Sequence, residues 1–232
     1  MSAIIEYAPL LWQGLLTTIL VAILSGALCL VVAFAAGLGR LSRHRFLSLP
    51  AGVFIEVFRG TSLLVQMFWL FFALPFFGIQ LHPLTAAVLA LGLNEGAYAA
   101  EVVRGAIASR AKGQTEACIA LGMDPALRLR RIIIPQSIPA MLPPFGNVMV
   151  DLLKNTSLVS LVTVADLTFR AQMIRSTTGQ TTAIFLTILV MYFVLSYLLT
   201  LLTAWLERRF ALDRRALAAQ RKESRLMKVG AA

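Results

Sequence analysis

Between Leu10 and Ala36 the chain carries no charged side chain. A helix crosses the roughly 30 Å apolar core of a bilayer in about 20 mostly apolar residues. Inside lipid, only helices and closed barrels satisfy their own backbone hydrogen bonds. This run is therefore read as a spanning helix. Four further stretches repeat the pattern, at about 51–76, 84–106, 138–163 and 182–206. The expected fold is all-α: a polytopic membrane helix bundle of about five transmembrane helices over 10–210, followed by a basic tail at 211–232. Composition agrees, with 59% hydrophobic and only 14% charged residues, where soluble domains carry about 25% charged residues.

The net charge of +10 is not spread evenly. Arg40, Arg43 and Arg45, then Arg104, Arg110 and Lys112, then Arg128, Arg130 and Arg131, and the tail from Arg208 onward all fall on one side of the five spans. The other side has Arg170 and Arg175. Basic residues that flank apolar runs set orientation, which accounts for the charge without a nucleic-acid partner. The N-terminus is expected outside and the C-terminus in the cytoplasm. No basic region precedes the first apolar run, which is also too long for a cleavable signal peptide. The tail reads as a stop-transfer segment, or as an amphipathic helix on the anionic leaflet.

One stretch on the basic side is unlike a simple connection: residues 116–135, EACIALGMDPALRLRRIIIP. Glu116 near the start suits the positive end of a helix dipole. Gly122 suits a left-handed helix C-cap. Asp124 and Pro125 suit an N-cap and first helical position. Pro135 is expected to end or bend the second helix before the fourth span. Helix, glycine corner, helix is the pattern, and pieces this short need something to pack on. A capped surface loop is the plain alternative.

Chemistry-bearing motifs are missing. There is no G-x-x-x-x-G-K-[ST], so the chain has no phosphate cradle of its own. There is no H-E-x-x-H, no G-x-S-x-G and no Cys/His ligand cluster. Cys29 and Cys118 read as small packing residues. His44 and His82 sit at loop positions with no ligand partner in the pattern.

Polar residues inside spans are informative because they are costly in lipid. Glu101 is three residues before Arg104 and suits a helical ion pair. Glu56 with Arg59, and Asp151 with Lys154, share that spacing and read the same way. Glu95 lies mid-span, on a different helix face from Glu101. It either attracts a cationic amine or amidinium group on a solute or hydrogen-bonds across helices. Asn94, Tyr98 and Gln66 are further candidates to line a path. Pro139, Pro143 and Pro144 free backbone carbonyls, which places the fourth span in the bundle interior.

The loop also carries a resemblance. Glu116-Ala117-Cys118, three residues, Gly122, nine residues and Ile132-Ile133-Ile134-Pro135 resembles the signature loop of ABC importer permeases: Glu-Ala-Ala, three residues, Gly, nine residues, Ile-x-Leu-Pro. Cys118 and Ile134 are mild departures. FRGTSLLVQ (58–66), GAYAAEVVRGAI (96–107), GQTEACIALGM (113–123) and LPPFGNVMVDLLKNTSLVS (142–160) resemble the polar amino-acid uptake branch. ALRLRRIIIPQ, MLPPFGN and ADLTFRAQM are similar to ectoine and hydroxyectoine permeases. Glu95 departs from the wider family, which more often has a small residue there.

The resemblance implies a permease subunit in a bacterial inner membrane, itself non-catalytic and without a cofactor. Its loop would be a coupling helix docked on a cytoplasmic ATPase dimer, which uses ATP and Mg. Glu116, Ala117, Ala120, Leu121, Gly122 and Asp124 would form that contact. A second homologous permease subunit, or a second copy, and an extracytoplasmic solute-binding protein would complete the importer. The ectoine-type likeness favours a heterodimer and a compatible solute; a polar amino acid is the alternative. A channel or secondary transporter would need a filter-like motif or inverted repeats, and a membrane enzyme a converging catalytic cluster. None is found.

Overall fold

The computed structural model describes residues 6–210, and those residues are helical with no strand. The expected 211–232 tail lies outside the described residues. Three helices are long and apolar enough to cross a membrane alone: α1 (Ala8–Leu41), α4 (Pro83–Ala108) and α9 (Thr181–Phe210). They coincide with the expected first, third and fifth spans.

The other two expected spans are bent. α2 (Arg45–Gly60) stops at Gly60, and α3 (Leu63–Phe68) leaves at 104° to it, running on through a π turn and a 3-10 turn to Phe77. Thr61 and Ser62 between them are extended. The fourth segment runs through α6 (Pro125–Arg128), a π turn (Leu129–Ile133), α7 (Ile134–Asn155) and a 3-10 stretch (Thr156–Val162). It then bends by 52° into α8 (Leu167–Thr178).

One expectation about proline is corrected here. Pro135 does not end the helix that precedes it; it sits at the start of α7 and the chain stays helical through the π turn. Pro139, Pro143 and Pro144 lie inside α7 without breaking it. The break comes later, in a proline-free stretch where Thr163 takes a left-handed φ of 64°.

α1 and α4 form the centre of the bundle. Their contact is built from small residues, including Cys29, Ala33 and Gly37 on α1 and Gly96, Ala99 and Ala100 on α4, all buried. Lipid tails are as apolar as leucine, so helices in a bilayer associate by close packing, and small residues permit it. Cys29 is a packing residue, as expected, and both cysteines are free and buried. A Cβ at Gly37 would lie 2.8 Å from the Ala100 carbonyl oxygen and 2.9 Å from Val103 Cβ. A backbone carbonyl cannot swing aside, so Gly37→Ala is expected to force α1 from α4. The cost is about 1–3 kcal/mol, read as a lowered thermal midpoint of the purified protein in detergent.

The outside of the bundle is bare. α9 buries only Ile184 and Ile188 and exposes Leu189, Phe193, Tyr197 and Leu201 among others. Such a face meets lipid or another transmembrane chain. At the remote end of α9, Asp166 caps α8: its carboxylate accepts the Phe169 and Thr168 N–H groups at 2.9 and 3.2 Å, and the Tyr192 hydroxyl at 3.3 Å. Thr18 on α1 accepts the Leu167 N–H at 3.1 Å. This buried polar knot ties α1, α8 and α9 together.

Candidate functional site

A helix leaves its last four carbonyls without helical partners. In α2 these belong to Val57, Phe58, Arg59 and Gly60, and the break leaves them without a continuing helix. Side chains take up the first three. The Thr61 hydroxyl donates to the Val57 carbonyl at 2.7 Å. Gln66 Nε2 and Asn94 Nδ2 both donate to the Phe58 carbonyl, at 2.9 and 2.8 Å. The Tyr98 hydroxyl donates to the Arg59 carbonyl at 3.3 Å. Asn94 also donates to Gln66 Oε1 at 3.1 Å.

Gln66, Asn94 and Tyr98 thus converge, but on backbone first. They stabilise the break in the second segment. Gln66 does not reach the cavity described next; it braces Asn94 from behind. Arg59 lies over the Tyr98 ring at 5.2 Å and makes no ion pair with Glu56, contrary to the spacing-based expectation. The exposed Glu56 carboxylate and the ring-bound guanidinium point to different surroundings.

Glu95, the neighbour of Asn94, reaches the end of α7, where the fourth segment passes from α-helix into its 3-10 stretch. Its Oε1 accepts from Asn155 Nδ2 at 2.8 Å, and Asn155 is the last residue of α7. Asn94 and Glu95 are both 5% exposed, near the middle of α4. One adjacent pair on a straight helix therefore holds the ends of two discontinuous ones.

Between those ends lies a cavity of about 410 Å³, within the size range of small-molecule sites. Thr61 and Ser62 from the first break, Asn94, Glu95 and Tyr98 from α4, and Asp151, Lys154 and Asn155 from α7 line it. Lys154 Nζ is 3.5 Å from Asp151 Oδ1, and both side chains remain over half exposed. The expected pairing is present, but it borders the cavity rather than only neutralising a helix face. Asn155 and Ser62 were not singled out from the sequence; the signal available was their place in polar tripeptides, Lys-Asn-Thr and Gly-Thr-Ser, inside apolar segments. No cluster able to hold a metal ion is found among the described residues.

The Glu101–Arg104 pair forms as expected, with Arg104 Nε and Nη2 both on the carboxylate and the closest approach 2.7 Å. It lies further along α4, away from the cavity.

The 116–135 loop closely follows its expected corner. α5 (Lys112–Ala120) ends in a Schellman arrangement: Gly122 N–H donates to the Ile119 carbonyl at 2.9 Å and Met123 N–H to the Cys118 carbonyl at 3.0 Å. Gly122 has φ +67°. Asp124 caps α6 by accepting the Ala126 N–H at 3.0 Å. Glu116 is corrected: α5 starts at Lys112, so Glu116 is in its middle and not at the positive end of its dipole. Cys118 is buried, while Glu116, Ala117, Ala120 and Leu121 are exposed, Leu121 at 79%. The Asp124 side chain is engaged in its cap.

Broken helices whose ends meet at a polar mid-membrane cavity are the way transporters admit irregular backbone at membrane depth. The class is a solute-conducting membrane permease. Comparison with known proteins narrows it. Residues 29–212 match the binding-protein-dependent transport system inner membrane component. A probable amino-acid ABC transporter permease of Sinorhizobium fredii is 44% identical, over 88% of this chain and 90% of the relative. The glutamine transport system permease of Escherichia coli is 38% identical, over 90% and 96%. A crystal structure of an amino acid ABC transporter with histidines superimposes with a TM-score of 0.83, at 36% identity over 89% and 96%. The chain belongs to the family of binding-protein-dependent transport system inner membrane components, as an ABC importer permease of the amino-acid type.

Proposed function

We propose that this chain forms half of the translocation path for a polar, zwitterionic amino acid, and that the cavity between the break after α2 and the end of α7 is a station on that path. The observation that carries this is the lining itself. Glu95 and Asp151 supply negative charge and Lys154 positive charge around one space of about 410 Å³. An α-amino acid brings an ammonium and a carboxylate, and such a lining can face both. Ectoine is also zwitterionic, so the lining does not select between the two. The relatives support the first: those compared are named for amino acids or glutamine, and none of them is named for ectoine. The amino-acid reading is therefore preferred.

The exposed edge of α5 is the surface through which an ATPase would drive the bundle. Glu116 offers charge, Ala117, Ala120 and Leu121 a small apolar ridge, and Gly122 with Asp124 fixes the corner that presents them. An apolar helix face laid in a groove is a general mode of docking. On this reading the loop lies on the cytoplasmic side, which the basic residues around it support. A second permease chain and an extracytoplasmic binding protein complete the importer.

The test is uptake into proteoliposomes holding the complete transporter, with ATP inside. Labelled glutamine, histidine, arginine, cystine and ectoine are offered in turn, each with its binding protein. ATP-dependent accumulation of at least one amino acid, undiminished by excess ectoine, is expected. Accumulation of ectoine alone would return the compatible-solute reading.

A further inference from the structure

We propose that a second cavity, between α5 and the bundle, is a binding site for one anionic phospholipid of the surrounding leaflet. The cavity measures about 990 Å³ and lies where α1 ends, α2 begins and the 112–133 loop folds back. It has two kinds of wall. Leu38 and Leu41 of α1, Ile107 of α4 and Leu129 form an aliphatic side. Arg43, Arg110, Lys112 and Arg128 form a cationic side, opposed by one carboxylate, Glu116.

The aliphatic side is the outer edge of residues that pack on the bundle core, while the cationic side is not matched within the chain. Arg110 donates Nη1 to the Gln136 carbonyl at 3.0 Å, yet its Nε–H is buried without a partner. None of the four cations pairs with an acidic side chain among the described residues. A free inorganic anion would use the cationic side and leave the aliphatic side wet. A phospholipid uses both, with its phosphate among the guanidinium and ammonium groups and an acyl chain along α1. Access from the bilayer is open: Leu47 lines the cavity and is 57% exposed, and Phe46 beside it is 94% exposed. Basic clusters at the end of a spanning helix attract anionic headgroups.

The lipid would fill the space beneath α5 and so join the moving loop to α1 and α2. The inference rests on the inner-side placement of the loop proposed above. That placement is checked separately by labelling Gln114→Cys with an impermeant thiol reagent in inside-out and right-side-out vesicles.

The experiment is native mass spectrometry of the complete transporter, reconstituted in phosphatidylcholine vesicles with or without phosphatidylglycerol and then released. The wild-type complex is expected to retain phosphatidylglycerol in preference to phosphatidylcholine. Arg43→Gln/Lys112→Gln, two side chains exposed in this chain, is expected to lower that retention on the order of tenfold. Arg208→Gln/Arg209→Gln, at the same end of the bundle, is expected to leave it unchanged. Four outcomes overturn the site: no retained phosphatidylglycerol, equal retention of phosphatidylcholine, equal loss in both double variants, or displacement by inorganic phosphate alone.

Discussion

Glu95→Leu is expected to cut transport on the order of 100-fold while the protein still reaches the membrane. The change removes the acceptor that Asn155 meets at 2.8 Å and leaves that amide without a partner. The Asn155 amide is part-buried and lines the cavity, so the stability cost lies at or below the low end of the about 1–3 kcal/mol for a buried group, and the larger effect is loss of the tie that fixes the end of α7 at the cavity wall. Glu95→Gln divides the two roles of the carboxylate. Its amide oxygen can still accept from Asn155, so the helices stay joined, but the negative charge is gone. If the charge holds the ammonium of the solute, uptake by Glu95→Gln falls about tenfold, mainly through KM. Wild-type kinetics in Glu95→Gln, with failure in Glu95→Leu, would leave only the hydrogen bond between helices. Transport initial rates at several solute concentrations, normalised to membrane-inserted protein, make the measurement.

Gly122→Val is expected to uncouple the importer. No atom lies within 4 Å of the place a Cβ would occupy, so crowding is not the cause. The cause is φ +67°, a left-handed conformation that costs an L residue about 1–2 kcal/mol and a β-branched one more. The Schellman bonds from Gly122 and Met123 would be lost, and with them the angle between α5 and α6. Uptake and solute-stimulated ATP hydrolysis are both expected to fall by about tenfold or more, with normal insertion. Gly122→Asn should keep much of the activity, because asparagine tolerates this region. Normal stimulated hydrolysis in Gly122→Val would contradict the docking role given to this corner.

The straight spans were readable because uninterrupted apolar length has one meaning in a bilayer. The expected 10–36, 84–106 and 182–206 fall inside α1, α4 and α9. The loop corner was readable for a different reason: Gly122 and Asp124 act on backbone within a few residues of themselves. The breaks were not readable. Gly60, Thr61 and Ser62 are residues that spanning helices also carry unbroken, and what decides the break is the set of donors from outside α2, Gln66, Asn94 and Tyr98, that donate to the freed carbonyls. In the fourth span the prolines at 139–144 lie within an unbroken helix, and the bend falls after Val162, at a left-handed Thr163 that no local signal marks. Glu95 was recognised as costly in a membrane, but its partner is 60 residues away, beyond any local pattern. The charge pairs show the same division. Glu101–Arg104 formed where one helix face is all that matters, and Glu56–Arg59 did not, because an aromatic ring on α4 took the guanidinium.

The proposed solute path runs through the cavity where the break after α2 faces the end of α7. Ser62→Cys in a Cys29→Ala/Cys118→Ala background tests it most directly, since Ser62 lines the cavity and is exposed there. In the complete transporter, a small water-soluble thiol reagent should modify this cysteine, and a saturating transported amino acid should slow the modification about tenfold or more. A cysteine that does not react with the water-soluble reagent, or that reacts at the same rate with the solute present, would contradict the account.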